Sequence, residues 1–421
     1  MKLKTFSITI YGCQMNYSDA ERIKAFLISH NFKYSKNPNK AALNVLVTCG
    51  VRQTAENRVF HKIHNLKKSN PQTFVILTGC LAERKDVQQK MKSKVDLFTN
   101  IKNFFNQDFH YLLPVKGGSI RVSREEKCIP FKHPALASDE TRNEEKAGVG
   151  SCNYLKINPD YQHPEKISIP IMSGCNNFCS YCVVPYARGR EISRPINEII
   201  TEIKKAAKNK KLREITLLGQ NVNSYSYIPV KTSSRKINRQ SLTSKAQKKS
   251  QFKGSSRIGK TEGFPPITFP ILLEKLAQEF PKITFKFLTS HPKDFSCGLI
   301  ETIKTNQNIE RKIHLPLQSG SDKILKAMNR PYTQKHYLKI ITKIKKTIPD
   351  TQITTDVIIG FPGETEKEFN ETVKVFKKVK FSKAFLNKYS PRPGTEAFKL
   401  GDPIAWKEKK QRAKILAKLI Q

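Results

Sequence analysis

No stretch of the chain is apolar over the roughly 18 to 20 residues that a membrane helix requires. The opening Met1-Lys2-Leu3-Lys4-Thr5-Phe6 leads into no apolar segment with a small-residue cleavage site, so no secretory leader is expected. Short-period internal repeats are missing, which argues against a solenoid. These absences point to a soluble, cytoplasmic protein. Negative charge is scarce: 35 Asp and Glu stand against 76 Lys and Arg, a formal net charge of +41. Such a balance draws a chain to phosphate backbones, so nucleic acid is the natural partner; the plainer reading is a solvated, lysine-rich face. Enough is apolar, 38% of 421 residues, to bury real cores and exclude wholesale disorder. The length asks for two domains.

The nine cysteines are Cys13, Cys49, Cys80, Cys128, Cys152, Cys175, Cys179, Cys182 and Cys297. An odd count in a long cytosolic chain argues against a disulfide framework and for metal or catalytic thiols. Residues 1–112 alternate strands and helices. Strands are expected over Lys4–Tyr11, Leu43–Val47 and Thr73–Leu77. Helices are expected from the capping-box spacing at Ser18-Asp19-Ala20-Glu21, over Gln53–Lys68, and around Ala82–Met91. That rhythm implies an α/β fold with a parallel sheet. Cys13, Cys49 and Cys80 each follow a strand, and the carboxyl ends of parallel strands form one edge where ligands bind. A single cysteine there is ordinarily a small buried hydrophobe; three in one topological position should converge.

Residues 113–165 read as a connecting segment. Residues 166–400 repeat the rhythm on a larger scale, with strands expected at Ile167–Met172, Glu214–Leu218, Ile283–Thr289, Ile313–Leu317, Gln352–Ile359 and Ala384–Tyr389. Six strands with crossovers imply a partial, TIM-type (β/α)6 barrel. A basic insertion spans 226–264, with ten Lys or Arg and no Asp or Glu between Lys231 and Lys260, Lys248 and Lys249 among them. It reads equally as an RNA-gripping loop or a tolerated expansion. A lysine-rich C-terminal helix occupies 401–421, from Trp406 onward.

Directly after the first barrel strand comes Cys175-Asn176-Asn177-Phe178-Cys179-Ser180-Tyr181-Cys182, a C-x3-C-x2-C run. Three thiolates on one tight loop can hold three irons of a [4Fe–4S] cube and leave the fourth open. Structural zinc is the alternative, but it wants four ligands, and neither a nearby His nor a second C-x2-C pair accompanies the run. Cys175, Gln220, His291, Gln318, Gly360 and Ser390 each follow a different expected strand, which puts all six on the barrel's carboxyl face. Cys128, Cys152 and Cys297 read as structural, and His61, His64 and His314 as packing or surface histidines.

The cysteine run resembles the signature of radical S-adenosylmethionine (SAM) enzymes. With Gly12-Cys13-Gln14-Met15-Asn16, Thr48-Cys49, Gly79-Cys80, Gly219-Gln220-Asn221-Val222-Asn223, His314-Leu315-Pro316-Leu317-Gln318-Ser319-Gly320-Ser321, Gly360-Phe361-Pro362-Gly363-Glu364 and Ser390-Pro391-Arg392-Pro393-Gly394, nearly the whole chain is similar to the methylthiotransferases. Their MiaB-type branch, which acts on tRNA, is the nearest form. The resemblance implies that Cys175, Cys179 and Cys182 ligate the radical-SAM cluster and that Cys13, Cys49 and Cys80 ligate an auxiliary [4Fe–4S] cluster. It implies a methylthio group placed on C2 of N6-(dimethylallyl)adenosine at tRNA position 37, with one SAM methylating sulfur and a second cleaved to a 5′-deoxyadenosyl radical. Tyr181, Gly219, Gln220, Asn221, Gln318, Ser319, Gly360 and Glu364 would contact SAM. Arg188, Arg190, Lys248 and Lys249 would contact RNA. A flavodoxin- or ferredoxin-type electron donor and a monomeric state are expected. The same chemistry on N6-threonylcarbamoyladenosine or a ribosomal protein is the alternative reading, and a metal-containing RNA-binding protein the remote one. Only 26 residues follow Thr395, too few for the TRAM barrel that ends such enzymes, so that module is expected to be lost, split off or truncated.

Overall fold

The computed structural model describes residues 4–50, 53–107, 109, 154–208, 210–229 and 265–420. Cys128, Cys152, most of the expected connecting segment and the core of the basic insertion, with Lys248 and Lys249, lie outside them. No described helix is long and apolar enough to cross a membrane.

The N-terminal part runs β1 (Lys4–Tyr11), α1 (Gln14–Ser29), β2 (Phe32–Tyr34), β3 (Leu43–Thr48), α2 (Gln53–Ser69), β4 (Phe74–Gly79), α3 (Lys85–Met91), β5 (Leu97–Phe98) and α4 (Ile101–Phe104). Its strands are all parallel, in the order β2-β1-β3-β4-β5. Every residue of β3 and β4 is buried, as continuous apolar runs require when helices cover both faces. Val45, Val47 and Ile76 pack with Ile23 and Leu27 of α1 on one face, while Leu46, Val75 and Leu77 meet Val59, Ile63 and Leu66 of α2 on the other. The strand order reverses between β1 and β3, and the crevice beyond the carboxyl ends of such a pair is where doubly wound sheets bind ligands.

Helix α1 corrects one expectation. It starts at Gln14, capped by Cys13, whose carbonyl takes the Asn16 amide at 2.9 Å. The residues with capping-box spacing are spent elsewhere: the Ser18 hydroxyl accepts from Arg22 Nη1 at 2.7 Å, and a Glu21 carboxylate oxygen accepts the Gln162 amide at 3.2 Å. Tertiary partners outcompete the local cap.

The second part carries β6 (Lys166–Pro170), β7 (Met172–Ser173), α5 (Val184–Arg188), β8 (Ile192–Ser193), α6 (Ile196–Ala207), β9 (Glu214–Leu218), β10 (Ser226–Tyr227) and β11 (Ile267–Thr268). It continues through α7 (Phe269–Glu279), β12 (Thr284–Phe287), α8 (Cys297–Thr305), β13 (Lys312–His314), α9 (Asp322–Ala327) and α10 (Gln334–Thr347). It ends with β14 (Gln352–Ile359), α11 (Glu366–Val379), β15 (Lys383–Lys388) and α12 (Trp406–Ala417). Two parallel three-stranded sheets, β6-β9-β12 and β13-β14-β15, join through a parallel bridge between Phe285 and Ile309. Six parallel strands in chain order make the open barrel. Ile215, Leu217, Phe285, Ile313, Ile353 and Val357 point outward into the helix-covered core. The alternating positions, Thr216, Lys286, His314, Asp356 and Asn387, are all partly exposed, so the lumen is polar rather than filled. Its side chains pair among themselves: Lys286 with Glu214 and Glu310, and His314 with Asp356 at 2.8 Å.

The first domain bridges both free edges of this open barrel. On the β6 side, buried Arg22 holds Glu202 of α6 at 2.8 and 3.0 Å, and Glu202 also takes Arg194 at 2.9 Å and the Tyr161 hydroxyl at 2.6 Å. On the β15 side, Arg392 Nη1 reaches Gln53 Oε1 of α2 at 2.8 Å and Glu56 Oε2 at 3.4 Å. Between Gln14 and the lumen residues Lys166, Ser168, Glu214 and Thr216 lies a cavity of about 590 Å³.

Burial raises the Glu21 carboxyl at this seam to about 7, the Gln162 amide and the Arg22 charge offsetting only part of it, with Asp160 and Glu202 pushing further up. The native state therefore keeps a proton that the unfolded chain releases near the ordinary carboxylate value, and this contribution to stability is complete at low pH and lost as pH rises through about 7. Urea unfolding of wild type and Glu21→Gln is expected to show the wild type losing on the order of 1–2 kcal/mol relative to the variant between pH 4.5 and 7.5. A constant difference would contradict this.

Candidate metal centres and cofactor pocket

The C-x3-C-x2-C loop leaves β7 and is shaped by its own backbone. The Cys175 amide donates to the Gly189 carbonyl at 3.0 Å, and the Cys182 amide to the Cys179 carbonyl at 2.9 Å. Phe178 turns the chain through a left-handed conformation, with φ of 42°. The Asn176 and Glu191 side chains each accept the other residue's amide, closing the loop onto the strand that follows. Cys175 and Cys179 are buried and Cys182 is half-buried. Burial pushes the Cys175 thiol up to about 11, against the Asn177 amide, and pushes Cys182 well up, with the Cys179, Cys175 and Cys80 sulfurs adding to it. Metal binding would displace these protons.

The cysteines of the first domain meet at the crevice between β1 and β3. Cys13 caps α1, Cys49 follows β3 and Cys80 follows β4. Gly50 lets them approach: a Cβ there would stand 3.1 Å from both the Cys80 carbonyl oxygen and Val183 Cγ2, and 3.3 Å from Cys80 Cβ. Val183 adjoins Cys182, so the two cysteine groups face each other across this contact. Burial raises the Cys80 thiol, the Arg188 charge draws it back, and the Cys13 sulfur pushes it up.

Arg188, expected to contact RNA, spends its guanidinium inside the protein. It is buried, its Nη2 pairs with Asp19 Oδ2 at 2.7 Å and donates to Asn16 Oδ1 at 3.3 Å, and it ties α5 to α1 beside Cys80. Arg190 is exposed, with its guanidinium 4.5 Å over the Phe178 ring.

The carboxyl mouth of the barrel collects buried polar atoms without partners among the described residues. They are Gln220 Oε1, Asn221 Oδ1, both side-chain polar atoms of Asn223, Ser290 Oγ, His291 Nε2 and Gln318 Oε1. They come from the ends of three strands, β9, β12 and β13. Thr289 and Gln318 hold left-handed backbone beside them, with φ of 66° and 64°. Orphaned buried groups are rare elsewhere in proteins, and their gathering at one mouth fits a polar ligand such as SAM. Burial, with Arg330 and Lys293 nearby, lowers His291 to about 2, so its ring is neutral; Nδ1 accepts the Lys293 amide at 3.2 Å, which leaves the proton on Nε2 as a donor. Tyr181 is half-buried against Phe361 and Tyr389.

Other expected SAM contacts have partners within the protein. Ser319 is fully buried and its hydroxyl accepts the Ser321 amide at 3.2 Å. Gly219 packs on Met172. Gly360 adopts φ of 73° and gives its space to a side chain: a Cβ would lie 2.5 Å from Lys409 Cγ of α12. Glu364 accepts the Gly360 amide at 2.7 Å and pairs with Arg412 of α12 at 2.6 Å. Gly360 and Glu364 therefore anchor the C-terminal helix. Cys297, expected to be structural, is exposed at the head of α8 with Lys343 Nζ 2.8 Å away. Ser290 and Arg330 belong to the site although no motif singled them out.

Among the described residues no three His, Cys, Asp or Glu side chains close on a point that one ion could occupy. An iron–sulfur cube, in which each thiolate binds a different iron, suits three separated cysteines with no other donor type among them. Both trios fit that group.

The radical SAM superfamily matches residues 169–376, and an uncharacterised protein family, UPF0004, matches residues 5–100. A tRNA-2-methylthio-N6-dimethylallyladenosine synthase of Treponema denticola is 36% identical over 418 residues, covering 97% of this chain and 82% of the relative. The chain belongs to that synthase family. A second synthase, from Caldicellulosiruptor saccharolyticus, is 35% identical over the whole chain and 78% of its own length. The radical SAM methyltransferase TsrM of Kitasatospora setae, solved with tryptophan and a SAM analogue, shares the fold with a TM-score of 0.52 at 11% identity, over 94% of this chain and 75% of TsrM.

Within this synthase fold, Arg188 works as the buried partner of Asp19. Arg188→Met is expected to destabilise the protein by roughly 3–5 kcal/mol in urea unfolding, because it leaves a buried carboxylate unpaired. A variant of unchanged stability with weakened tRNA binding would restore the RNA-contact reading.

Proposed function

We propose that this chain methylthiolates tRNA, placing a methylthio group on C2 of N6-(dimethylallyl)adenosine at position 37. The observation that carries the reading is the meeting of two cysteine trios, Cys13/Cys49/Cys80 and Cys175/Cys179/Cys182, across the Gly50–Val183 contact. Bound there, two [4Fe–4S] clusters and SAM would supply a hydrogen-abstracting radical and a separate sulfur donor, the pair needed to replace an unactivated aromatic C–H by C–S. The chain's own residues hold, orient and shield. Cys175, Cys179 and Cys182 would hold one cluster beside the mouth, where Gln220, Asn221, Gln318, Ser290 and His291 offer their free polar atoms to a methionine, ribose or adenine group. The polar lumen gives the target base a wet path inward. The net charge of +41 and exposed Arg190 favour an RNA substrate over a protein side chain. The protein works as a cytoplasmic monomer fed by a flavodoxin- or ferredoxin-type donor.

Nucleoside analysis of tRNA from a host lacking its own methylthiotransferase tests this. Expression of the wild-type chain is expected to convert N6-(dimethylallyl)adenosine to its 2-methylthio form, and Cys182→Ala to leave it unconverted. A methylthio group on threonylcarbamoyladenosine, or on no nucleoside, would overturn the assignment.

A further inference from the structure

Arg330 stands in the short segment between α9 and α10, and that segment is built against the C-x3-C-x2-C loop. The Ser180 amide donates to the Met328 carbonyl at 3.0 Å, the Ser180 hydroxyl to the Ala327 carbonyl at 2.9 Å, and Asn329 Nδ2 to the Phe178 carbonyl at 2.9 Å. Asn329 takes a left-handed conformation, φ of 53°, so that Arg330 turns inward. The guanidinium is held at every nitrogen. Nε donates to the Tyr332 hydroxyl at 3.1 Å, Nη2 to the Pro316 carbonyl at 3.3 Å, and Nη1 to Cys179 Sγ at 3.6 Å.

The residue is 7% exposed, yet among the described residues it has no carboxylate within ion-pair distance. The other buried arginines at the domain junction, Arg22, Arg188, Arg194 and Arg392, each have an Asp or Glu at 3.4 Å or less. A buried cation without an anion is costly, and of the groups it touches, the Pro316 carbonyl, the Tyr332 hydroxyl and the Cys179 sulfur, the sulfur is the one that ligating a cluster would make negative. A cube held by three thiolates is anionic and gains one more negative charge on reduction.

We infer that Arg330 is a positioning residue that sets the reduction potential of the cluster held by Cys175, Cys179 and Cys182, through its N–H···S bond to Cys179 and its uncompensated charge. This rests on the cluster reading above. Hydrogen bonds to cluster sulfurs and net charge are established determinants of such potentials, and both act here to favour the reduced state. The auxiliary trio differs, because the arginine beside Cys80 is already neutralised by Asp19.

The test is an EPR-monitored potentiometric titration of the anaerobically reconstituted full chain, with a Cys13→Ala/Cys49→Ala/Cys80→Ala variant to assign the signals. Arg330→Met is expected to lower the ratio of reduced to oxidised cluster at a fixed potential roughly tenfold, a 59 mV negative shift for one electron. Arg330→Lys, which keeps the charge, is expected to recover more than half of it. A wild-type midpoint in Arg330→Met would overturn the inference, as would equal shifts in both variants or loss of iron from both. If Arg330→Met alone loses iron, the Lys variant decides: a midpoint within threefold of wild type upholds the role, and one tenfold lower overturns it. Absence of any cluster from wild type would instead sink the reading on which this one rests.

Discussion

An open barrel of six strands has two free edges, and the first domain of this chain is tied to both. Arg22 with Glu202 fixes α1 against the β6 side, and Gln53 and Glu56 with Arg392 fix α2 against the β15 side. Such edges invite unwanted pairing unless covered, so the clasp solves a folding problem. It also sets the chemistry, because it turns the carboxyl edge of a five-stranded sheet toward the carboxyl mouth of the barrel. Buried ion pairs of this kind contribute little net stability compared with apolar packing, and their geometry specifies orientation instead. The polar character of the seam is consistent with that role.

Orientation matters because the reaction needs two reactive centres near one base. Each cysteine trio sits where its own sheet binds ligands by topology alone: beyond the β1–β3 reversal in one domain, and at the strand ends in the other. Neither site needs special backbone beyond a few left-handed residues. Their encounter depends on Gly50 and Val183 meeting without a side chain between them. The inward positions of the barrel strands are polar where a closed barrel would be packed, so the lumen remains open to a substrate once the first domain has covered the side.

The alternation of strands and helices, the parallel sheets, the six-stranded barrel and the placing of six cysteines at strand ends are legible because they rest on local periodicity and fixed spacing. Short strands such as β2 and β5 carry too few residues to show a period. The start of α1 was misplaced because Ser18 and Glu21 have cap spacing but find better partners in Arg22 and across the domain border. Arg188, beside the cluster loop, looked like a phosphate ligand; its partner Asp19 is 169 residues away in the chain. Gly360 and Glu364 looked like a cofactor loop, and the side chains that claim them, Lys409 and Arg412, belong to the last helix. In each case the side chain's chemistry is plain in the sequence, and its partner lies too far along the chain for local pattern to show.

The central claim is that the two facing trios hold two iron–sulfur cubes. Iron, sulfide and zinc content after anaerobic reconstitution tests it most directly, on wild type and on the Cys175→Ala/Cys179→Ala/Cys182→Ala variant. About eight irons and eight sulfides per chain, falling to about four of each in the variant, is the predicted result. About four falling to none would remove the auxiliary centre, and zinc without iron would contradict the account entirely.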